Sequence, residues 1–303
     1  MKKICSFIIV FTLLTSKFYN INTYAQNIDY DTTMKQDLLS LFMAYPEDIV
    51  DIEKQDNGLV YLVMKSGNKI VYDDKKEKTQ QEKLVNGDLQ DMMEQVYPLE
   101  KIDDLMEENF DPGRIRVYQL LNEVYGSSRE QIEKNLTNVN FAYQNYRFNK
   151  NNKAAENLDN VSKKLLILAK TNTKIGPFVN PSNGTFNYRI ISGTGRLSPH
   201  AYGIAIDIAS DKRDYWKWAS REQGKARLLQ YPDELVKTFE ENNFVWGGKW
   251  GHFDILHFEY RPEIILKARY FGDNKGEQAN WYEGVPCDET IKTYIEKIDK
   301  ALS

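Results

Sequence analysis

The run Gly203-Ile204-Ala205-Ile206-Asp207 places a carboxylate at the end of an apolar, strand-like stretch. Such a stretch is expected to enter a sheet packed on a core. A carboxylate carried inward with it loses its hydration unless a cation or a set of donors takes the place of water. The fold must therefore bring a partner to Asp207. His200 stands just upstream, in Ser198-Pro199-His200, and the other two histidines, His252 and His257, lie in Trp250-Gly251-His252-Phe253-Asp254-Ile255-Leu256-His257. The chain has three histidines in 303 residues, so their gathering around Asp207 and Asp254 is the main chemical signal. Two imidazoles and one carboxylate, with a fourth position left to water, form the ligand set of a catalytic zinc site. Zinc draws the pKa of its water toward neutrality, and a second carboxylate can act as general base. Taken singly, each residue keeps an ordinary alternative: a loop histidine at 200, a cap or an Arg213 partner at 207, a core histidine at 257. The chain has no His-Glu-x-x-His helix, no Cys-x-x-Cys pair and no glycine-rich phosphate loop.

Composition bounds the function. Apolar residues make up 41% and aromatics 13%, enough for a substantial core, and the net charge of −4 argues against a nucleic-acid binder. Lys2 and Lys3, the apolar run Ile4 to Leu14, and Thr23-Tyr24-Ala25 read as a secretory signal over residues 1–25, cleaved before Gln26. The apolar run is short for a bilayer span, and no later segment is long and apolar enough to be one. Cleavage removes three lysines and no acid, and it removes Cys5, leaving Cys287 alone and no internal disulfide. Export without disulfides suits a periplasmic or extracellular bacterial protein.

The chain reads as a mixed α+β fold, a small antiparallel sheet with flanking helices carrying the zinc site, plus an N-terminal extension. The extension, 26–105, holds a short helix with Leu38, Leu39, Leu41, Phe42 and Met43 on its apolar side. A hairpin follows in GLVYLVMKSGNKIVYDD around Ser66-Gly67-Asn68. Residues 75–100 are charged and expected to be helical. Residues 106–303 form the second unit. Asp111-Pro112-Gly113 is a turn, and a helix with Ile115, Leu120, Leu121 and Val124 ends at Gly126. Ser127 or Ser128 caps the next helix, with Glu130 in its first turn. Further helices are expected near 155–170 and 233–242, within a Gly- and aromatic-rich, β-like stretch from Phe178 to Tyr260.

Ser198-Pro199-His200-Ala201-Tyr202-Gly203-Ile204-Ala205-Ile206-Asp207, followed by Asp254-Ile255-Leu256-His257, resembles the LAS-type zinc peptidases. These include VanY- and VanX-like D-alanyl-D-alanine carboxypeptidases and L-alanyl-D-glutamate endopeptidases. Their pattern is Ser-x-His-x-x-Gly-x-Ala-x-Asp, then an acid, two residues and a histidine. The resemblance covers about residues 155–270, including the approach through LVKTFEENNFVWGGKW. It implies zinc on His200, Asp207 and His257, with Asp254 as general base. An aspartate there is closer to the endopeptidase branch. It also implies an arginine for the scissile carbonyl or its oxyanion. Arg189 fits this better than Arg196, because it stands in a strand-like run before the motif. Arg196 is then a candidate reader of a free substrate carboxylate, as are Arg213 and Arg221. Ser198 orients substrate or a ligand, or simply starts a turn. His252 lines the cleft and assists proton transfer, or stacks beside Trp250.

In a regular strand Asp254 and His257 point to opposite faces while Glu259 shares the face of His257. Either the chain bends near Ile255, or Glu259 is the base. With the bend, Glu259 orients a ligand histidine. The implied substrates are peptidoglycan stem peptides, cut at D-Ala-D-Ala or at L-Ala-D-Glu. The competing expectation is a zinc-containing binding module of the same fold that does not cut. The hairpin of the extension is a candidate docking or cleft-covering element.

Overall fold

The protein is described by a computed structural model that covers residues 29–272 and 280–303. The expected signal segment, 1–25, lies outside the described residues. Among those residues, three small antiparallel sheets are wrapped by helices, the α+β class expected. None of these helices is long and apolar enough to cross a membrane.

The N-terminal part opens with the helix Tyr30–Ala44, whose Leu38, Leu39, Leu41 and Phe42 are fully buried. It packs on the helices Pro262–Phe271 and Glu289–Leu302 from the far end of the sequence. Strands β1 (Ile49–Lys54), β2 (Val60–Met64) and β3 (Lys69–Val71) form a sheet in that order. The expected hairpin is β2–β3, turning at Gly67 with φ 88°. Val60, Leu62 and Met64 alternate inward. Strand β1 escaped the sequence reading because an irregularity between Ile49 and Asp51 breaks its alternation. The charged stretch that follows contains the helices Gln80–Asn86 and Leu89–Met93, each opened by a capping box, at Thr79 and Asp88.

Ser128 caps the helix Arg129–Asn135. Strands β4 (Leu136–Phe141) and β5 (Gln144–Asn149) then form a hairpin that the sequence did not announce. Its two turn residues, Ala142 and Tyr143, both have positive φ (47° and 71°). That turn shape normally selects Asn or Gly, so the usual signal is missing. The third sheet has the order β6-β8-β7, with β6 Ala205–Asp207, β7 Phe244–Trp246 and β8 His257–Tyr260. The helices Ala154–Leu168 and Asp233–Glu241 match their expected positions within two residues. Phe239 of the second helix stacks on Phe258 of β8 at 3.9 Å.

One apolar core joins residues before and after position 105. Buried polar contacts cross the same line. Lys267 pairs with Asp37 at 2.6 Å. Tyr45 donates to Glu263 at 2.6 Å and Tyr97 to Glu240 at 2.7 Å. Removing one member of the buried Lys267–Asp37 ion pair costs about 3–5 kcal/mol and each tyrosine–carboxylate hydrogen bond contributes about 1.5–3 kcal/mol, so these contacts fix the N-terminal part against the rest.

Candidate active site

The register of β6 and β8 sets Asp207 directly opposite His257, and Ala205 opposite Glu259. Opposed residues of an antiparallel pair project to the same face. Asp207 Oδ1 and His257 Nδ1 accordingly stand 2.8 Å apart. His200 arrives from the short helix Pro199–Tyr202. Ser198 opens that helix, its Oγ accepting the His200 N–H at 3.3 Å. Gly203 ends it in the left-handed region (φ 69°), and a Cβ there would sit 2.5 Å from Leu136 Cδ2. The glycine thus serves both the conformation and the close approach of β5, whose Asn149 N–H donates to the Gly203 carbonyl at 2.8 Å. This brings His200 Nε2 to 3.2 Å from both Asp207 Oδ1 and His257 Nδ1.

The outer nitrogens fix the tautomers. His200 Nδ1 lies 2.6 Å from the Thr185 carbonyl, which accepts a proton and donates none. Nδ1 therefore carries the hydrogen, and Nε2 presents its lone pair inward. His257 Nε2 faces Glu259 Oε2 at 3.7 Å, so Nδ1 is its inward atom. Three electron-rich atoms thus converge, and they need a cation among them. Ligand atoms about 2.0–2.2 Å from a tetrahedral zinc ion stand about 3.3 Å from one another, close to the separations found here. The donor set fits zinc. In a metal-free site a proton fills the same role. Burial opposes a charged His257, but the hydrogen bond to Asp207 and the nearby carboxylate of Glu259 lift its pKa to about 10. Burial likewise opposes ionised Asp207, yet His200 and His257 hold its pKa far below the usual carboxylate range.

The chain does bend before β8. The His257 N–H donates to the Asp254 carbonyl at 3.0 Å, closing a turn over 254–257. Asp254 therefore lines the same cavity as the three converging residues. Its carboxylate has no hydrogen bond or ion pair among the described residues. Burial raises its pKa to about 6, against the pull of His257. Glu259 is placed very differently. It is fully buried and gripped by Arg116, with Nε to Oε1 at 2.8 Å and Nη2 to Oε2 at 2.5 Å. Arg261 adds a contact at 3.5 Å. Burial works against its charge, but the two arginines keep its pKa far below normal. Glu259 is thus held by arginines and is not among the residues that line the cavity, so it is not placed to activate a water there.

The cavity measures about 800 Å³, within the range of ligand-binding clefts. Arg189, Arg196, Ser198 and His252 all line it. Arg189 is exposed at the rim. Arg196 is half-buried and donates to the Leu84 carbonyl. Ser198 is 2% exposed and occupied as the cap of the His200 helix. His252 Nδ1 lies 2.7 Å from Asp111, and its ring meets the Trp216 edge. Arg213 pairs with Asp211 and Arg221 donates to the carbonyls of Leu105 and Met106; neither lines the cavity. Sequence reasoning missed Arg116, Asp111 and Thr185. All three lie upstream of the motif, and no spacing links them to it.

Comparison with known proteins bears on this arrangement. Residues 192–260 match the model of a family described as D-alanyl-D-alanine carboxypeptidase. The peptidoglycan L-alanyl-D-glutamate endopeptidase CwlK of Bacillus subtilis (strain 168) is 38% identical over 74 residues, 22% of this chain and 42% of that protein. The chain thus spans less than half the length of this curated relative. No solved structure matches it.

Proposed function

We propose that the chain is a LAS-type peptidase, on the match of residues 192–260 to a family described as D-alanyl-D-alanine carboxypeptidase and the 74-residue likeness to CwlK, and that it is an exported zinc peptidase that hydrolyses peptide bonds in peptidoglycan stem peptides. The observation that carries this reading is the convergence of His200 Nε2, Asp207 Oδ1 and His257 Nδ1 within 3.2 Å of one another, with the free carboxylate of Asp254 in the same cavity.

His200, Asp207 and His257 would hold the zinc ion, which would supply Lewis acidity toward water and the scissile carbonyl. The remaining roles fall to the chain itself. Asp254 takes the proton from the attacking water and passes it to the leaving amine. Asp254 lines the cavity beside the three converging residues with its carboxylate unpaired, so it is free to accept that proton. Arg189 at the rim offers its guanidinium to the developing oxyanion. Glu259, clamped by Arg116, holds the ring of His257. His252, fixed by Asp111, borders the space for the substrate. The family description names the D-Ala-D-Ala bond and the CwlK name the L-Ala-D-Glu bond; both are candidate scissile bonds.

The test is mass spectrometry of muropeptides and stem peptides incubated with zinc-loaded protein, beside the Asp254→Ala variant. Loss of a terminal alanine marks a carboxypeptidase and release of a longer fragment an endopeptidase. Either product should vanish in Asp254→Ala while zinc stays bound. No product from any peptide with zinc bound would leave a binding module instead.

A further inference from the structure

Two arginines in the cleft have no acid to balance them. Of the four that line it, Arg114 pairs with Asp111 at 2.9 Å and Arg116 with Glu259. Arg189 and Arg196 have no acidic partner among the described residues. Of the acids at the cavity wall, Asp211 is engaged by Arg213 and Asp214 by Arg227, Asp207 stands with the two histidines, and Asp254 has no ion pair with either arginine.

The two unbalanced arginines share one face of one loop. The Ser198 N–H donates to the Arg189 carbonyl at 3.0 Å and the Ile191 N–H to the Arg196 carbonyl at 2.8 Å, around an antiparallel bridge between Ile190 and Leu197. Alternation along such a ladder sends 189, 191, 196 and 198 to the same side. These four line the cavity, and Ile190 is exposed on the other side.

Arg196 is held from outside the segment that matches the family. Its Nη1 donates to the carbonyl of Leu84, which lies in the last turn of the helix Gln80–Asn86. No helical N–H can satisfy a carbonyl there. Leu84 itself forms part of the cavity wall. The Nε of Arg196 is buried and has no partner. Burial and the charges of Arg116 and Arg114 work against its protonated form. A guanidinium fixed at one end, with a bare N–H and cationic neighbours, lacks an anion. A carboxylate matches its fork geometry.

We propose that Arg196, pinned by the N-terminal segment, is a carboxylate-reading subsite, which makes the helix Gln80–Asn86 part of the substrate site. This rests on the peptidase reading above. A stem peptide offers two such carboxylates, the C-terminal one of D-Ala and the free α-carboxylate of D-Glu.

The experiment uses the zinc-loaded full chain and two pairs of synthetic stem peptides. Within each pair, one carboxylate is replaced by a carboxamide, at terminal D-Ala in the first and at D-Glu in the second. The kcat/KM ratio of acid to amide is measured for wild type, Arg196→Gln and Arg196→Lys. The expected result is a wild-type ratio of roughly tenfold or more in one pair, as a charged hydrogen bond provides. Arg196→Gln should bring it near one, and Arg196→Lys should restore part of it. The pair that responds identifies the carboxylate. Leu84→Pro, which breaks the turn presenting the carbonyl, should lower the ratio with Arg196 intact. A wild-type ratio near one in both pairs, or one that survives Arg196→Gln, overturns the subsite and leaves the peptidase intact. If none of the four peptides is cut, the peptidase reading fails. Calorimetric binding of the same peptides then decides the subsite: acid-selective binding lost in Arg196→Gln upholds it, and any other pattern overturns it.

Discussion

Replacing Arg116 by Gln should loosen the metal from a position that touches none of its ligands. Arg116 makes two charge-assisted hydrogen bonds to Glu259, at 2.8 and 2.5 Å. Glu259 is fully buried and faces His257 Nε2 at 3.7 Å. Without Arg116 the carboxylate keeps only Arg261, 3.5 Å away. It must then swing toward Arg261 or take up a proton, and in either case the Nε2 side of His257 loses the negative charge that faces it. Loss of one partner of a buried pair costs about 3–5 kcal/mol of stability, and the remaining arginine places the expected loss near the lower end. Removal of an outer partner of a ligand histidine weakens metal binding about 10–100-fold, or about 1.4–2.7 kcal/mol at about 1.36 kcal/mol per factor of ten. Competition with a chromogenic chelator measures the zinc affinity, and denaturant unfolding of the zinc-free protein measures the stability. Glu259→Gln, which keeps the shape and removes the charge, should weaken zinc binding by a similar factor. If Arg116→Gln binds zinc as tightly as wild type, the link from Arg116 through Glu259 to His257 is wrong, whatever happens to the stability.

Three further outcomes follow from the same geometry. Asp207→Ala should abolish zinc retention on a desalting column and leave His257 Nδ1 without its closest partner; retained stoichiometric zinc would remove Asp207 from the ligand set. In chelator, the raised pKa of His257 means that its contribution to stability is full below its ordinary value of 6.5 and is lost as pH rises through about 10; a His257→Gln variant should lack this alkaline loss in urea titrations. Gly203→Ala forces a methyl to within 2.5 Å of Leu136 at a positive φ and should cost about 1–3 kcal/mol by overpacking, read as a lower unfolding midpoint.

Local features of the sequence were legible where they were self-contained. The apolar run ending in Asp207, the histidines flanking it, and the hairpin at Gly67 each carry their signal within a few residues. The strand-parity conflict between Asp254 and His257 was also visible, and the turn over 254–257 resolves it. What stayed hidden was set by tertiary contact. Arg116 and Asp111 serve Glu259 and His252 across 143 and 141 positions of sequence, and nothing near them distinguishes a clamp from a surface charge. The β4–β5 hairpin was missed because Ala142 and Tyr143 adopt a turn that their side chains do not favour. Arg196, expected as a candidate reader of a substrate carboxylate, lines the cavity, and its anchor on Leu84 belongs to a helix read only as a charged surface.

The contacts between the first helix and Pro262–Phe271 bear on any attempt to build a minimal catalytic fragment. Trimming the chain before position 105 would strand Lys267 without Asp37, Glu263 without Tyr45 and Glu240 without Tyr97, and would bare the apolar surface that Leu38, Leu39 and Phe42 now cover. A shortened version therefore has to be resurfaced as well as cut, with polar residues in place of the uncovered apolar ones and neutral residues in place of the stranded charges.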